Sequence, residues 1–457
     1  MLYLTPLLSV FLLTGIVAQA IGFYLILLFI PFVIYWRNDL NREAITCLRD
    51  LSLGLFLCWF IFPLTNLYNY IMTKDIELPF KVLMKSHFSS SFLITSICLY
   101  LYSFKDKLRP KSTRSSPRFE LQAPPSSTVM KPFLKGLLIS SFIICAYLLY
   151  EQISGVDFLG RAIPSQRQMG TGLFRVQGFF GHPLTLAGVG LALFSFLGSL
   201  LLQKEMAQQK TLILGCLLST AYFVFASGGR VASLLVIIFT CFILLFNYLS
   251  PKKRGSRSKN TSYIKYLYLV FSFALIFFIV YQTGLFSRFT RMYGETSSTE
   301  FERFIFWKVH WKIFLDHPIM GQGLALLNSV KRVEYYNMLG YASLENKYPA
   351  HNMILEILSN IGLFGLSVLS YGVYKIWFSF RHLSHKYQPY LRAFLVSLLI
   401  NSANGLTQNV FFDSSVTYIY LSIIMLIIWG DLGDLMKAIP RHHHFTSHKL
   451  IRDDLLK

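Results

Sequence analysis

Long apolar runs alternate with shorter polar segments along most of the chain. Most of these runs are close to the roughly 20 residues that an α-helix needs to cross the hydrocarbon of a bilayer. We therefore predict an all-α, polytopic membrane protein with about twelve transmembrane helices. Because no internal repeat or soluble-domain pattern interrupts the series, residues 1–457 are interpreted as a single integral membrane domain.

Basic residues fall in alternate connections between the apolar runs and predict the orientation of the chain. Residues 105–132 mix Lys and Arg with Pro and Ser, which predicts a flexible basic loop in the cytoplasm. Residues 437–457 are predicted to be a cytoplasmic tail, so both termini lie on that side. The opposite, outer side carries a loop at residues 151–183 and the longest polar segment, residues 282–351, between the ninth and tenth predicted spans.

Composition narrows the choice of partners. The chain is 54% hydrophobic and 14% charged, and its formal net charge is +21. In a soluble protein that charge would suggest nucleic acid. Here the basic residues lie between apolar runs, which fits membrane topology and anionic lipid head groups instead. We therefore predict contact with membrane lipids and no nucleic-acid partner.

Two residues on the predicted outer side are the first candidates for chemistry. Arg230 follows the short turn Ser227–Gly229 between two apolar helices, and a charge this close to hydrocarbon is usually paired or functional. His351 opens the tenth span, where Asn352 can cap the helix, and an imidazole can take a proton near neutral pH. The alternatives are an arginine that reaches lipid phosphate and a histidine that only caps its helix.

A third candidate, Arg303, lies inside the large outer segment. Arg303, Trp307, Trp311 and Phe314 recur at three- or four-residue spacing. This pattern predicts one face of an amphipathic helix that lies on the membrane surface or over a cavity. A purely structural role for Arg303 is the alternative.

Further cations could bind an anionic group. Arg161, Arg167 and Arg175 occupy the Gly-rich outer loop, Arg288 precedes the amphipathic helix, and His182 stands at the start of the sixth span. Several guanidinium groups together bind pyrophosphate well. The alternative is a loop that is simply basic and mobile.

The chain has no P-loop, no acidic pair typical of nucleotide-sugar transferases, and no HExxH or GxSxG motif. We therefore predict no metal and no cofactor. Cations without a metal site suit a substrate that already carries its leaving group as a lipid diphosphate.

The order of several motifs resembles the bacterial O-antigen ligase/polymerase superfamily. An HPxxGxG element precedes an HNxxLExLxxxGxxGL element, an RxxGxFxxP-like element begins at Arg175, and an SGGR turn stands where the superfamily usually has SxSR. The first two elements consist of His317, Pro318, Gly321 and Gly323, and then His351, Asn352, Glu356, Gly362 and Gly365. The departure from SxSR keeps the arginine and removes a hydroxyl.

The resemblance implies a GT-C-like membrane glycosyltransferase of the inner membrane, active on its periplasmic face in lipopolysaccharide or polysaccharide biosynthesis. Such proteins take a glycan from undecaprenyl diphosphate without a metal. Ligases pass it to lipid A-core, and polymerases pass it to another repeat unit. By position, His351 would be the base, and Arg230 and Arg303 would hold the diphosphate.

Three functions stay open at this point. A ligase is preferred because one large outer segment precedes the histidine helix, whereas the arginine-rich loop from Arg161 to Arg175 also resembles polymerases. The third is a transporter or flippase of lipid-linked glycan, which would use the same cations. Transporters often have repeated halves and ionisable residues near the bilayer midplane, and this sequence has neither feature.

Overall fold

The computed structural model describes residues 42–73, 127–163, 174–249, 298–323, 326–342, 349–380, 388–408 and 413–435, with residues 95, 97, 99 and 344. These residues form ten α-helices: α1 (Arg42–Thr73), α2 (Ser127–Ser154), α3 (Pro183–Leu201), α4 (Lys210–Ser227), α5 (Arg230–Leu249), α6 (Ser298–Asp316), α7 (Leu326–Met338), α8 (Met353–Ser379), α9 (Gln388–Gly405) and α10 (Ser414–Leu435). No β-strand occurs among them, although Val156 and Ala162 form an isolated bridge. The all-α prediction is confirmed for this part of the chain.

Five helices in the described ranges are long and apolar enough to cross a membrane. They are segments of α1 and α2, the whole of α3, α4 together with the short 3-10 helix Lys204–Gln209 before it, and the whole of α8. These helices correspond to the third, fifth, sixth, seventh and tenth predicted spans. The first two spans, the ninth and nearly all of the fourth lie outside the described residues, as do the basic stretch before residue 127 and the tail after residue 435. The total of twelve stays a prediction.

Two of the predicted loops contain helical residues. Helix α2 begins at Ser127, inside the stretch predicted to be a loop, and Pro132 lies within it. Serine suits the start of a helix, so the composition that predicted a loop is also compatible with a helix start. In the large outer segment, α7 forms in addition to α6, the helix predicted around Arg303.

Helix α3 lies at the centre of the main core. Nearly every residue of α3 is buried, and it packs against α4, α5, α9 and α10. A buried set of hydroxyls links three of these helices: Ser195 bonds Ser397 at 3.0 Å, and the Tyr420 hydroxyl donates to the Ser397 carbonyl at 3.0 Å. In an apolar interior such pairs satisfy polar groups that would otherwise be costly.

A second contact joins α1 to α8. Gly54 and Gly372 face each other, and a methyl group built on either would come within 2.9 Å of the other's carbonyl oxygen. Small residues allow two helix backbones to approach this closely, which is a common basis of helix association in membranes. The α1–α8 pair therefore combines a close backbone approach at the two glycines with a buried cluster of Ile61, Phe62 and Ile361.

Helix α8 is broken at Gly362, where φ is 62° and ψ is −168°. Only glycine adopts this region readily. The break frees backbone groups on both sides, and the segment 317–323 satisfies four of them. The N–H groups of Gln322 and Gly323 donate to α8 carbonyls at 2.8 Å, and the N–H groups of Leu363 and Phe364 donate to carbonyls of the segment at 2.8 and 2.9 Å.

The two backbones are in direct contact at this joint. Gly321 also has a positive φ, and a side chain there would overlap Asn360. Asn69 of α1 donates to the Gly321 carbonyl at 3.3 Å, so α1 also contacts the joint. Irregular backbone at membrane depth is tolerated where it is buried in protein and its polar groups are paired. We define residues 317–323 and the break in α8 as the glycine joint.

The glycine joint predicts a sharp difference between two glycine substitutions. Gly362→Ala should abolish accumulation of folded protein, because its methyl group would overlap the Ile319 carbonyl in a conformation that alanine avoids. Gly340→Ala is the matched control, since Gly340 also has a positive φ but has nothing within 4 Å of the added methyl. It should cost about 1 kcal/mol of conformational strain. The yield of folded protein in detergent measures the first variant and thermal unfolding of the purified protein measures the second, and equal yields of the two would contradict the packing argument.

Candidate active site

Several polar connections meet at one end of the bundle. They are the turn between α4 and α5, the residues before α3, the residues before α8 and the residues before α10. The side chains of these connections interact across the chain, as described below. The helix starts that meet here also present the positive ends of their dipoles, which favour a bound anion.

The turn at Ser227–Gly229 is held from two sides. Arg175 donates through Nε to the Ser227 carbonyl at 2.5 Å. Gly229 packs against α3, where a methyl group added to the glycine would lie 2.9 Å from the Ala187 Cβ. The Ser227 hydroxyl donates to the Val224 carbonyl at 2.6 Å, and Gly228, with a φ of 67°, ends α4. Arg230 begins α5 directly after this turn, so Arg175 helps to fix where Arg230 starts.

His182 caps α3 and faces a carboxylate that the sequence did not single out. Its Nδ1 accepts from the Leu184 N–H at 3.1 Å, so that nitrogen carries no proton. Burial lowers the pKa of His182, Arg175 lowers it further, and Asp413 opposes the shift. Asp413 precedes α10, accepts a hydrogen bond from Thr185 and has a raised pKa because it is buried. The starts of α3 and α10 are therefore joined.

His351 lies directly before the N-cap of α8 and has an unusual backbone conformation. Its φ is 49°, the one positive value outside glycine among the described residues. Asn352 caps α8 by accepting from the N–H groups of Ile354 and Leu355 at 3.0 and 3.1 Å, as predicted. The His351 ring lies 6.2 Å from the ring of Phe306 on α6. Strained residues of this kind cluster at functional sites.

The charges around His351 come from four separate elements. Burial lowers the pKa of His351 first, and Arg303 on α6 lowers it next. Glu356 raises it, whereas His182 and Arg332 lower it. Because these influences act at short range, the structure brings Arg303 and His182 close to His351. The net direction is down, so the imidazole is neutral and able to accept a proton at neutral pH.

Helix α6 confirms the predicted helix, and Arg303, Trp307, Trp311 and Phe314 all lie on it. The side chains that are buried in the protein are Ile305, Phe306, Val309, His310, Ile313 and Phe314, whereas Trp311 is 48% exposed. An exposed Trp311 is compatible with a helix face that lies on the membrane surface. Trp307 is half-buried, and its Nε1–H donates to the Ala350 carbonyl at 3.0 Å.

The structure places three further residues, His310, Arg332 and Glu356, near His351. His310 is fully buried, and its Nδ1 lies 2.8 Å from the Ser359 hydroxyl and 3.8 Å from Glu356. Arg332 on α7 is half-buried, its pKa is lowered by burial, and Glu356 counteracts that shift. Glu356 is buried within α8. Only long-range contacts identify the places of His310 and Arg332, whereas Glu356 already belongs to the HNxxLExLxxxGxxGL element.

The remaining predicted cations are placed differently. Arg161 is exposed and its Nε lies 2.7 Å from the Asp157 carboxylate, which leaves it engaged within its own loop. Arg167 and Arg288 lie outside the described residues. Across the described ranges, no group of three or more His, Cys, Asp or Glu side chains is arranged to hold a metal ion. The assembled part of the site therefore consists of Arg175, His182, Arg303, Arg332 and His351, next to Arg230.

This arrangement combines a neutral imidazole with several guanidinium groups at helix starts. Guanidinium groups and helix N-termini bind phosphate oxygens, and a neutral imidazole accepts a proton from a hydroxyl. The site is therefore suited to a reaction in which a hydroxyl attacks and a phosphate-bearing group leaves.

Comparison with known families agrees with this chemistry. The family model described as O-antigen ligase matches residues 214–370. This match supports a relation of the region to the O-antigen ligase-like superfamily. No curated protein matches the chain.

The match runs from α4 to α8 and includes the Ser227–Gly229 turn, α6, the glycine joint and His351. It supports a membrane protein of the ligase/polymerase kind, for which a lipid-linked glycan and an acceptor are the general substrates. Arg175, His182 and Asp413 lie outside the matched residues, yet they complete the same end of the bundle.

The buried histidine His310 predicts that the stability of the folded protein depends on pH. Burial lowers the pKa of His310 to about 4, below its ordinary value of 6.5. The unfolded chain therefore binds a proton as pH falls through 6.5, while the folded protein does not until about pH 4. Between those values the folded state should lose stability, by about 2 kcal/mol at pH 5.

Chemical unfolding in detergent at pH 7 and pH 5 tests this expectation. The His310→Asn variant should be less stable at both values, because it loses packing, but its stability should change less with pH. Glu356, Arg332 and His351 are the charged neighbours of His310 and stay in place in the variant. An unchanged pH dependence in His310→Asn would assign the effect to one of them.

Proposed function

We propose that the protein is an O-antigen ligase-type glycosyltransferase of the bacterial inner membrane. It takes a glycan from undecaprenyl diphosphate and attaches it to a hydroxyl of lipid A-core, or of a similar acceptor, on the periplasmic face. The observation that carries this proposal is the neutral His351 at the mouth of α8, in a left-handed conformation and surrounded by Arg303, Arg332 and His182.

His351 is the proposed general base. The acceptor hydroxyl oxygen attacks the anomeric carbon of the glycan, and its proton passes to the imidazole. The bond between that carbon and the diphosphate oxygen breaks, and its electron pair leaves with the lipid diphosphate. Because Arg303 keeps the pKa of His351 low, the imidazole is available as a base at neutral pH.

Arg230 and Arg303 are the proposed diphosphate ligands. Negative charge grows on the leaving oxygen as the bond breaks, and fixed guanidinium groups stabilise that charge without rearrangement. Arg175 supports Arg230 through the Ser227 carbonyl and lies close enough to His182 to affect its pKa. Removal of one such phosphate contact should cost on the order of 10² or more in rate.

A polymerase of the same superfamily would use the same donor chemistry and differ in its acceptor, another repeat unit. The arginine-rich outer loop is the feature that favours it. Two arginines of that loop have protein partners, Arg161 with Asp157 and Arg175 with Ser227. A transporter would instead need the cations along a path across the membrane, whereas the described ones gather at one end of the helices.

Surface glycan in a deletion strain tests the proposal. The strain is complemented with wild type, His351→Ala, Arg230→Ala or Arg303→Ala, and lipopolysaccharide is separated on a gel. We expect each variant to lose the long ladder while long polymer accumulates on undecaprenyl diphosphate, because transfer to the acceptor stops. Arg161→Ala is the matched control and should retain the ladder, since Arg161 is exposed and paired in its own loop.

Other outcomes separate the alternatives. A single repeat unit attached to lipid A-core would identify a polymerase. Full ladders from all three variants, at wild-type protein levels, would remove the catalytic assignment and favour transport.

The pKa of His351 predicts the pH profile of the reaction. Because burial and Arg303 lower this pKa, the neutral base persists as pH falls below the ordinary histidine value of 6.5. The acid limb of kcat/KM should therefore lie below pH 6.5, since it reports the base of the free enzyme. Rates in detergent, with donor extracted from the deletion strain, measure it. An acid limb above pH 6.5 would exclude His351 in this environment as the base.

A further inference from the structure

The residue before His351 is held through both of its backbone polar groups. Ala350 is fully buried. Its N–H donates to the Glu356 carboxylate at 2.9 Å, and its carbonyl accepts from the Trp307 indole at 3.0 Å. That carbonyl belongs to the peptide bond that leads into His351. The Trp307 contact therefore fixes the Ala350–His351 peptide, and the Glu356 contact fixes the Pro349–Ala350 peptide directly before it, so that Ala350 is held on both sides.

This restraint is needed because His351 is in a conformation that its own side chain disfavours. A positive φ brings the Cβ atom of an L-residue close to its own backbone, and such a residue persists only where its surroundings determine it. Asn352 caps α8 on the other side of His351. The histidine therefore sits between a capped helix start and a clamped peptide.

Glu356 is itself fixed by neighbours on two helices. Its second oxygen lies 3.3 Å from the Asn360 amide nitrogen, which donates to it. His310 Nδ1 of α6 lies 3.8 Å from the oxygen that holds Ala350. The Ser359 hydroxyl donates to the Glu356 carbonyl at 3.2 Å and can accept from His310 Nδ1 at 2.8 Å. A carboxylate with this many partners is a rigid anchor rather than a mobile surface charge.

We propose that Glu356 is a positioning residue, whose carboxylate holds the Pro349–Ala350 peptide while Trp307 holds the Ala350–His351 peptide, so that the imidazole faces the arginines. Glu356 is not assigned contact with either substrate. This inference rests on the proposed role of His351 as the base. It adds that the base is aligned by a buried carboxylate one turn into the same helix.

The proposal has an electrostatic consequence that a purely structural role lacks. Glu356 is the negative group among those that shift the pKa of His351, and it raises that pKa. The opposing groups are Arg303 of α6, Arg332 of α7 and His182 before α3, and His310 of α6 also interacts with His351. Loss of the carboxylate charge should therefore lower the pKa of His351 further.

Glu356→Gln separates charge from geometry. Glutamine keeps the length of the side chain and an oxygen that can accept from the Ala350 N–H, but it has no charge. We expect folded protein at wild-type level, a moderately lower kcat, an unchanged KM for the donor and an acid limb displaced to lower pH. Glu356→Ala removes both the charge and the hydrogen-bond acceptor. It should lower kcat by about 10², as small misplacements of catalytic groups do.

Two further variants keep the test decisive if Glu356→Ala fails to fold. Trp307→Phe preserves the ring and removes the N–H that holds Ala350, so it should lower kcat and leave the acid limb in place. Glu334→Gln is the matched control, because Glu334 is an exposed carboxylate on α7. It should leave kcat and the pH profile unchanged. The assays use the full-length protein with lipid-linked glycan and lipid A-core extracted from the deletion strain.

The outcomes distinguish this inference from the proposed function. If His351→Ala keeps the wild-type rate, the proposed function fails and the positioning role fails with it. If His351→Ala is inactive but Glu356→Ala and Trp307→Phe keep the wild-type kcat and Glu356→Gln keeps the wild-type acid limb, only the positioning role is overturned. Lower amounts of folded Glu356→Gln with unchanged kinetics per folded molecule would likewise reduce Glu356 to a structural residue.

Discussion

Four backbone hydrogen bonds between residues 317–323 and the break in α8 are the constraint on which the rest of the site depends. A helix broken within an apolar bundle exposes N–H and C=O groups that cannot find water, and each unpaired group would cost several kcal/mol. Gly362 makes the break, and the segment that follows α6 pairs the freed groups. The end of α6 is therefore fixed to α8, and this connection also fixes the angle between the two helices.

The catalytic proposal follows from that fixed angle. With α6 held against α8, the Phe306 ring lies tilted beside the His351 ring, Trp307 donates to the Ala350 carbonyl, and His310 lies within hydrogen-bond distance of Ser359. Arg303 lies one turn before Trp307 and acts on the same histidine. A buried carboxylate and a neutral buried histidine support this arrangement from beneath, where water does not weaken their interactions. The strained histidine is thus supported by contacts from outside its own helix.

Much of the architecture could be predicted from hydropathy, because span length is set by the thickness of a bilayer. His351, its cap Asn352 and the helix around Arg303 were also accessible, since helix starts and periodic faces are local. Asp413 and Arg332 were not, because their importance comes from neighbours more than a hundred residues away or on another helix.

The glycine joint is made of main-chain atoms, and this has a consequence for how such proteins diverge. Neighbours of Gly321 and Gly362 contribute N–H and C=O groups that every residue except proline can supply in full. Side chains there can drift without loosening the connection, provided that the two glycines persist. Related proteins could thus differ in most surface residues, and in the sugars that they recognise, while the spacing between the two glycines remains recognisable even in very distant sequences.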